Sequence, residues 1–177
     1  MRLPIRDPAK LDGLKSGLLC IEWGNERSGN DMAVKVETFA RLARSPEEGG
    51  AMVHSLRSFG SAALNMCGVA AGGMEIYWEA GVWAWDVCAG WCILVEAGGC
   101  AVDANPRGWG VDLESRRFLF VRGDGEEKSL VVSASKGKSG MRMSKNQKEY
   151  IEEFWSFVNG QFEIGPYAVE GEVVNAS

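Results

Sequence analysis

The residues best suited to chemistry lie between positions 58 and 106, a stretch that contains neither lysine nor arginine. Its acidic residues are Glu75, Glu79, Asp86, Glu96 and Asp103. Carboxylate oxygens are the ligands that hard cations such as Mg²⁺ prefer, and they accept hydrogen bonds from the hydroxyl groups of polyols. The pattern indicates either a buried core segment with acids at its edges or an acidic site for a cation or a polyol. The two interpretations are compatible, since such sites usually lie where core elements end.

Other side chains that commonly carry catalysis are scarce or poorly spaced. His54 is the only histidine, which disfavours a histidine-based zinc site, and its expected strand setting favours a structural role. Cys88 and Cys92 are separated by three residues, one more than in a zinc knuckle. All the cysteines lie within apolar stretches and are expected to be reduced, buried thiols of an intracellular protein: Cys20, Cys67, Cys88, Cys92 and Cys100.

Composition argues against several classes of protein. A chain of 177 residues, 46% of them hydrophobic, is long enough for one compact domain with its own core. A formal net charge of −5 argues against a nucleic acid as the main partner, because phosphate binding requires clustered lysine and arginine. No apolar run approaches the roughly 20 residues needed to cross a bilayer, and MRLPIRDPAK lacks the apolar core of a secretory signal. We therefore expect a cytoplasmic protein with a small-molecule partner and no membrane contact.

Hydrophobic spacing predicts strands that alternate with helices. Strands are expected at 18–23, 52–56, 74–79, 100–103, 117–121 and 130–133, and helices at 30–43, 60–71, 86–97 and from the capping box at Ser144 onward. The helix 86–97 is apolar on nearly every side, which predicts complete burial. The order indicates an α/β fold, a mixed layered domain of sheet and helices over 18–160. Residues 1–17 are expected to form an N-terminal connection, and 161–177 a mobile acidic tail.

One long motif stands out from this background. Trp85-Asp86-Val87-Cys88-Ala89-Gly90 continues through Ile93-Leu94 to Glu96-Ala97-Gly98-Gly99, and it follows Gly60-Ser61-Ala62-Ala63 and Tyr77-Trp78-Glu79. This pattern resembles the carboxyl-terminal signature of the inositol monophosphatase family of magnesium-dependent sugar phosphatases. The resemblance extends from about Leu18 to Val121, and the residues of these motifs are most similar to those of fungal members, including the quinate-cluster homologue. It implies the C-terminal half of a sugar-phosphatase fold.

The resemblance assigns roles to particular residues. It implies that Asp86 is a ligand of Mg²⁺ and that Glu79 holds substrate hydroxyl groups. It also implies that Gly60, Ser61 and Ala62 open a helix at which a substrate approaches the backbone. Each residue also has a plainer interpretation: Asp86 as a helix cap, Ser61 as an ordinary N-cap, and Glu79 as an exposed acid at a strand end.

The sequence departs from the family pattern in its first half. The other metal ligands of the family come from an earlier glutamate and from a D-P-x-D-G-T-x-N segment, whereas the only Asp-Pro here is Asp7-Pro8, outside any such motif. We therefore expect hydrolysis of an inositol phosphate by metal-activated water with this chain as the C-terminal part, the isolated chain being inactive and the full-length form a homodimer. The alternatives are a bisphosphate nucleotidase or other sugar phosphatase, and a non-catalytic interaction or regulatory module.

Overall fold

The structure is a computed structural model that describes residues 3–5, 9–132 and 141–165. Its strands are β1 (Leu18–Ile21), β2 (Ser55–Arg57), β3 (Ile76–Ala80), β4 (Cys100–Val102), β5 (Arg117–Val121), β6 (Leu130–Val132) and β7 (Met141–Met143). Its α-helices are α1 (Gly29–Ala43), α2 (Ala62–Ala70), α3 (Ala84–Glu96) and α4 (Lys145–Phe157). Short 3₁₀ turns lie at Leu14–Ser16 and Pro46–Glu48. Strands and helices alternate through the first part of the chain, as the hydrophobic spacing predicts.

Five strands form one mixed sheet in the order β2-β1-β3-β5-β4. Strand β1 pairs in parallel with both β2 and β3, while β5 runs antiparallel to its neighbours β3 and β4. Because β1, β2 and β3 are parallel, their carboxyl ends meet at one edge of the sheet. Strands β6 and β7 form a separate antiparallel pair.

Alternate residues of the strands face opposite layers of helices. The buried cluster on one side joins β-strand residues such as Leu19, Ile21 and Trp78 to α1 and α4, and Trp78 packs its ring 5.7 Å from that of Phe154. The cluster on the other side joins Cys20, Tyr77, Phe118 and Phe120 to α2 and α3. The result is a helix–sheet–helix domain, and the predicted α/β layered fold is confirmed.

Several predicted boundaries were wrong. The strand expected at 52–56 is β2, which begins at Ser55, so His54 lies before it and is exposed. Strand β7 was not predicted, and helices α2 and α3 begin at Ala62 and Ala84 instead of residues 60 and 86. The helix boundaries differ because helix propensity indicates that a segment is helical more reliably than it indicates the residue at which the helix begins. In the described part of the chain, no helix is long and apolar enough to cross a membrane.

The prediction of complete burial for the third helix was also wrong. Only one side of α3 packs on the sheet and on α2, with Val87, Gly90 and Leu94 buried. The opposite side, together with that of α2, forms an outer face that includes Leu64, Cys67, Cys88, Cys92, Ile93 and Val95. Three cysteines expected inside are thus exposed, and only Cys20 and Cys100 are buried; all of them are free thiols.

Residues 161–165 lie against the domain and are tied to it by hydrogen bonds. The backbone N–H of Phe162 donates to Asn105 Oδ1 at 2.7 Å, and that of Glu163 donates to Asp31 Oδ1 at 2.8 Å. Arg117 Nη1 donates to the Ile164 carbonyl at 2.6 Å. These five residues are the described part of the segment that the sequence assigns to an acidic tail, and 166–177 lie outside the described residues.

The outer face of α2 and α3 predicts self-association. Leu64 is 69% exposed there, and contiguous apolar surface drives association in water. The 177-residue chain is expected to form oligomers or aggregates whose size grows with concentration in size-exclusion chromatography with light scattering. Leu64→Glu combined with Ile93→Glu is expected to shift it toward monomer, because charge on the face opposes its burial.

A matched control is Val131→Glu, which places the same charge on an exposed residue of β6 outside that face. It is expected to leave the oligomer distribution unchanged. A monodisperse, cooperatively unfolding monomer of the unsubstituted chain would contradict the prediction.

Candidate functional site

A cavity of about 810 Å³ lies at the edge of the sheet where the parallel strands end. Its walls come from the residues that follow β1, β2 and β3 and from the first turns of α2 and α3. All the predicted site residues line it: Gly60, Ser61, Ala62, Glu79 and Asp86. This position fits the physical rule that open α/β sheets bind ligands beyond the carboxyl ends of their strands.

The acidic stretch is divided among different roles. Of its five acids, only Glu79 and Asp86 line the cavity. Glu75 pairs with Arg122 at 3.2 Å, and Asp103 pairs with Arg117 at 3.0 Å, so both are structural ion pairs. Glu96 lines a different hollow on the outer face of α3. The idea that the whole stretch forms one acidic site is therefore wrong.

A third carboxylate, which the sequence analysis did not single out, organises one wall of the cavity. Glu22 follows β1 directly, is buried, and accepts a hydrogen bond from the thiol of Cys20 at 3.8 Å and four more from residues between 58 and 65. These four donors are the hydroxyl of Ser58 at 2.6 Å, the backbone N–H groups of Phe59 at 2.6 Å and Gly60 at 2.7 Å, and Asn65 Nδ2 at 2.9 Å. These bonds fix the segment between β2 and α2.

Those donors also explain the charge state of Glu22. Burial alone would raise its pKa, but the hydrogen bonds from Ser58, Gly60, Asn65 and Phe59 together lower it below the ordinary value. Glu22 is therefore a carboxylate that stays ionised inside the protein. The strand expected at 18–23 ends at Ile21, so Glu22 lies just beyond it, where ligand-facing residues of α/β sheets often lie. Its only signal in the sequence is that it is an acid at the end of an apolar run.

The start of α2 presents backbone to the cavity. Ser61 is the N-cap, and its hydroxyl accepts from the Leu64 N–H at 3.4 Å, so the plainer interpretation of Ser61 is confirmed. Gly60 has a φ of 77°, a conformation that disfavours other residues. With the N–H groups of Phe59 and Gly60 held by Glu22, those of Ser61, Ala62 and Ala63 remain at this helix end to meet a ligand.

Glu79 is a buried acceptor at the end of β3. Glu79 is only 6% exposed, so the interpretation of this residue as an exposed strand-end acid is wrong. The hydroxyl of Tyr77 donates to Glu79 Oε2. Burial raises the pKa of Glu79 to about 7, and the charges of Glu22 and Asp86 act in the same direction, against Tyr77 and Lys35. Because the folded pKa of Glu79 lies above the ordinary carboxyl value, the protonated side chain contributes to the free energy of unfolding at pH values below that ordinary value. This contribution is lost as the pH rises through about 7.

Asp86 lies on the first turn of α3, two residues after the helix begins at Ala84. Its Oδ2 accepts from the backbone N–H of Trp83 at 2.9 Å, so Asp86 does cap the helix, from the third position instead of from the N-cap. Its second oxygen, Oδ1, is the one that could reach a cation. The side chain is half-buried and lines the cavity.

Asp86 is the carboxylate that the family resemblance assigns to Mg²⁺. The chemistry of Asp86 fits a hard cation, because it is a carboxylate at the rim of a polar cavity. Among residues 3–5, 9–132 and 141–165, however, no three His, Cys, Asp or Glu side chains come together as a metal site. A site with three such ligands that includes Asp86 would therefore need at least one ligand from outside these residues.

A stack of flat side chains forms the wall next to Asp86. The guanidinium of Arg116 lies 3.7 Å from the ring centroid of Trp83, and the rings of Trp83 and Trp85 stack at 5.3 Å. Arg116 Nη2 donates to the Gly81 carbonyl at 3.0 Å. Sequence analysis missed the role of this arginine, because the contact joins segments more than 30 residues apart.

Glu22→Gln tests whether this buried carboxylate holds the wall. A glutamine turns an amide N–H₂ toward groups that are themselves donors, so the variant is expected to lose about 3 kcal/mol of stability. Urea unfolding at pH 7 measures the loss, and Glu26→Gln, the same change at an exposed site, is the control. Because the folded pKa of Glu22 is lowered, its contribution is present above the ordinary carboxyl pKa and disappears as the pH falls through the lowered value. Equal stability of the two variants at pH 7 would contradict this assignment.

Comparison with known proteins places the chain in one family. Residues 14–155 match the sequence profile of the inositol monophosphatase family. The chain is 42% identical over 153 residues to a Saccharomyces cerevisiae protein named inositol monophosphatase 2. The aligned region covers 85% of this chain and 46% of the yeast protein. It is 40% identical over 137 residues to the quinic acid degradation cluster protein x of Neurospora crassa, with coverage of 68% and 40%.

A solved structure supports the same family assignment. An inositol monophosphatase from Anabaena superposes with a TM-score of 0.53 and 27% identity, covering 69% of this chain and 44% of its own. The chain therefore spans about half the length of the curated relatives it matches. The predicted resemblance, including its fungal character and its partial coverage, is confirmed. With its profile match over most of the sequence, this chain belongs to the inositol monophosphatase family.

Proposed function

We propose that the cavity binds an inositol phosphate or a similar phosphate monoester of a polyol, and that this chain supplies the polyol-binding half of a phosphatase. The observation that carries the proposal is that Gly60, Ser61, Ala62, Glu79 and Asp86 all line the same cavity. The family resemblance singles out these residues, and they come from three separate parts of the chain.

The cavity offers complementary groups to such an ester. Glu79 is buried and accepts hydrogen bonds, which suits the hydroxyl groups of a polyol. The N–H groups at the start of α2 and the positive end of the helix dipole suit the phosphate. The small side chains of Ala62 and Ala63 allow the ligand to approach that backbone.

Magnesium is part of the proposal through Asp86 alone. Activation of the water that attacks phosphorus is the chemistry expected of a bound Mg²⁺ in such a phosphatase. Asp86 would hold the ion through Oδ1, since Oδ2 is engaged by Trp83. The homodimer of the full-length form and the cytoplasmic location rest on the resemblance and remain predictions.

A non-catalytic interaction module is the second candidate. It is favoured by one observation, namely that the described residues do not assemble three possible metal ligands. The bisphosphate nucleotidase alternative differs only in the ester, so a panel of phosphate esters tests it with the same assay.

Binding of inositol monophosphate tests the proposal directly. Trp23, Trp83 and Trp85 line the cavity, so ligand binding is expected to change the tryptophan fluorescence of the chain. Glu79→Gln is expected to raise the dissociation constant about tenfold, the factor that corresponds to ~1.4 kcal/mol and is typical of a charged hydrogen bond. The affinity of the unsubstituted chain is expected to increase as the pH rises through about 7, because Glu79 then ionises, whereas the variant is expected to show no such increase.

Asp86→Asn separates the metal role from the polyol role. It keeps the size and much of the capping ability of aspartate, so affinity without metal is expected to stay the same. Any gain in affinity on adding Mg²⁺ is expected to disappear in this variant, since a neutral amide oxygen binds the ion less well. Unchanged binding by Glu79→Gln, or an unchanged Mg²⁺ effect in Asp86→Asn, would overturn the corresponding assignment.

The isolated chain is expected to bind the ester without hydrolysing it. A single carboxylate ligand neither holds the ions nor positions the attacking water that this reaction requires. Phosphate release from inositol monophosphate with Mg²⁺, measured on pure 177-residue protein, is therefore expected to equal that of a protein-free control. Metal-dependent turnover that disappears in Asp86→Asn would contradict this prediction.

A further inference from the structure

Lys35 is a buried lysine that the proposed binding groups do not use. It lies on α1, on the far side of the sheet from α2 and α3, and its residue is only 1% exposed. Burial of an ammonium group is costly and lowers the pKa of Lys35. A lysine at such a position requires acceptors and opposite charge, and these identify what it does.

Its ammonium group bonds to the two chain segments that leave the central strands. Lys35 Nζ donates to the carbonyl of Trp23 at 2.8 Å and to the carbonyl of Ala80 at 3.3 Å. Trp23 is the residue after Glu22, and Ala80 is the residue after Glu79. One side chain therefore ties together the backbone directly beyond both buried carboxylates of the cavity.

The ammonium group is also close to the carboxylate of Glu79. Gly24 lies between them: a Cβ at this residue would be 3.3 Å from Lys35 Nζ and 3.7 Å from Glu79 Oε1. The φ of Gly24 is 63°, so glycine both relieves the backbone and leaves the space for this approach. The ring of Phe162 covers the ammonium group from another side, at 5.6 Å.

Charged groups surround both Glu79 and Lys35, and the two side chains favour each other's charged form. Glu79 faces the negative charges of Glu22 and Asp86 and the hydroxyl of Tyr77, and Lys35 is the cation that opposes this repulsion. Around Lys35, the carboxylates of Glu79, Asp31 and Glu26 favour its charged form, and Arg27 disfavours it.

We propose that Lys35 is a positioning residue, which fixes the two strand ends and favours the ionised form of Glu79 as an acceptor for the ligand. This inference rests on the proposed function, in which Glu79 accepts hydrogen bonds from the ligand's hydroxyl groups. Lys35 itself touches carbonyls and a ring behind the cavity, so it acts through Glu79 and the loops. A lysine with a merely structural role would affect stability and leave the ionisation of Glu79 unchanged.

Lys35→Met in the full 177-residue chain tests the proposal. Methionine keeps the length and apolar volume and removes the charge and both hydrogen bonds. The pKa of Glu79, followed by ¹³C NMR of its carboxyl carbon and assigned with Glu79→Gln, is expected to rise by at least about one unit, because a neighbouring cation is lost. An upward shift of that size cuts the ionised fraction at pH 7 about fivefold, so affinity for inositol monophosphate is expected to fall about fivefold at pH 7 and recover at pH 9.

Lys145→Met is the matched control, because the side chain of Lys145 is 80% exposed and pairs only with Glu149 on the same helix among the described residues. It is expected to leave both the pKa of Glu79 and the affinity unchanged. An unchanged pKa of Glu79 in a folded Lys35→Met variant would overturn the inference, whatever the change in stability.

The reciprocal measurement covers the case in which Lys35→Met does not fold. Electrostatic coupling is mutual, so Glu79→Gln is expected to lower the pKa of Lys35, read from ¹⁵N NMR of its Nζ. No change in that pKa would overturn the inference. Failure of the unsubstituted chain to bind inositol monophosphate would overturn the proposed function, and the two NMR measurements would still decide whether Lys35 positions Glu79.

Discussion

Strand β1 hydrogen-bonds in parallel to β2 on one side and to β3 on the other, and this pairing determines where the site lies. Parallel strands end at the same edge, so Glu22, Ser58 and Glu79 come together although they are distant in sequence. The chain then leaves β2 and β3 into α2 and α3, whose first turns face the same edge. Two helix N-termini and three strand ends therefore surround one cavity, and a slip of a single residue in β1 would turn its side chains to the opposite layer.

This convergence brings two carboxylates into a buried space, and the protein treats them differently. Four donors between residues 58 and 65 bond to Glu22 and lower its pKa. Glu79 has the hydroxyl of Tyr77 and the more distant charge of Lys35, which do not offset its burial, and its pKa rises to about 7. Environments that separate the pKa values of two acids commonly separate their roles as well. Here Glu22 is a fixed structural anion, and Glu79 is the acceptor whose charge can respond to a ligand or to pH.

The sequence predicted the α/β fold and the residues of the cavity because a long motif and clear hydrophobic spacing carry that information. It could not reveal the roles of Glu22 or Lys35, because most of their hydrogen-bond partners are 12 to 45 residues away and only the folded chain brings them close. It also misjudged α3, since a helix that is apolar all round does not indicate which side the rest of the protein covers. The three exposed cysteines follow from the same error, because Cys88 and Cys92 lie on the uncovered side of that helix and Cys67 on the outer side of α2.

Capping by Asp86 is compatible with the metal binding that we propose for it, and the geometry explains why. A carboxylate has two oxygens, and the bond from the Trp83 N–H engages Oδ2 alone. That bond restricts the rotation of the side chain, so Oδ1 is held in one direction at the rim of the cavity. Trp83 is in turn held against the guanidinium of Arg116, which also bonds to the Gly81 carbonyl at 3.0 Å. The loop between β3 and α3 thus connects the position of Asp86 to that of Glu79, the residues that we propose hold the metal ion and the polyol.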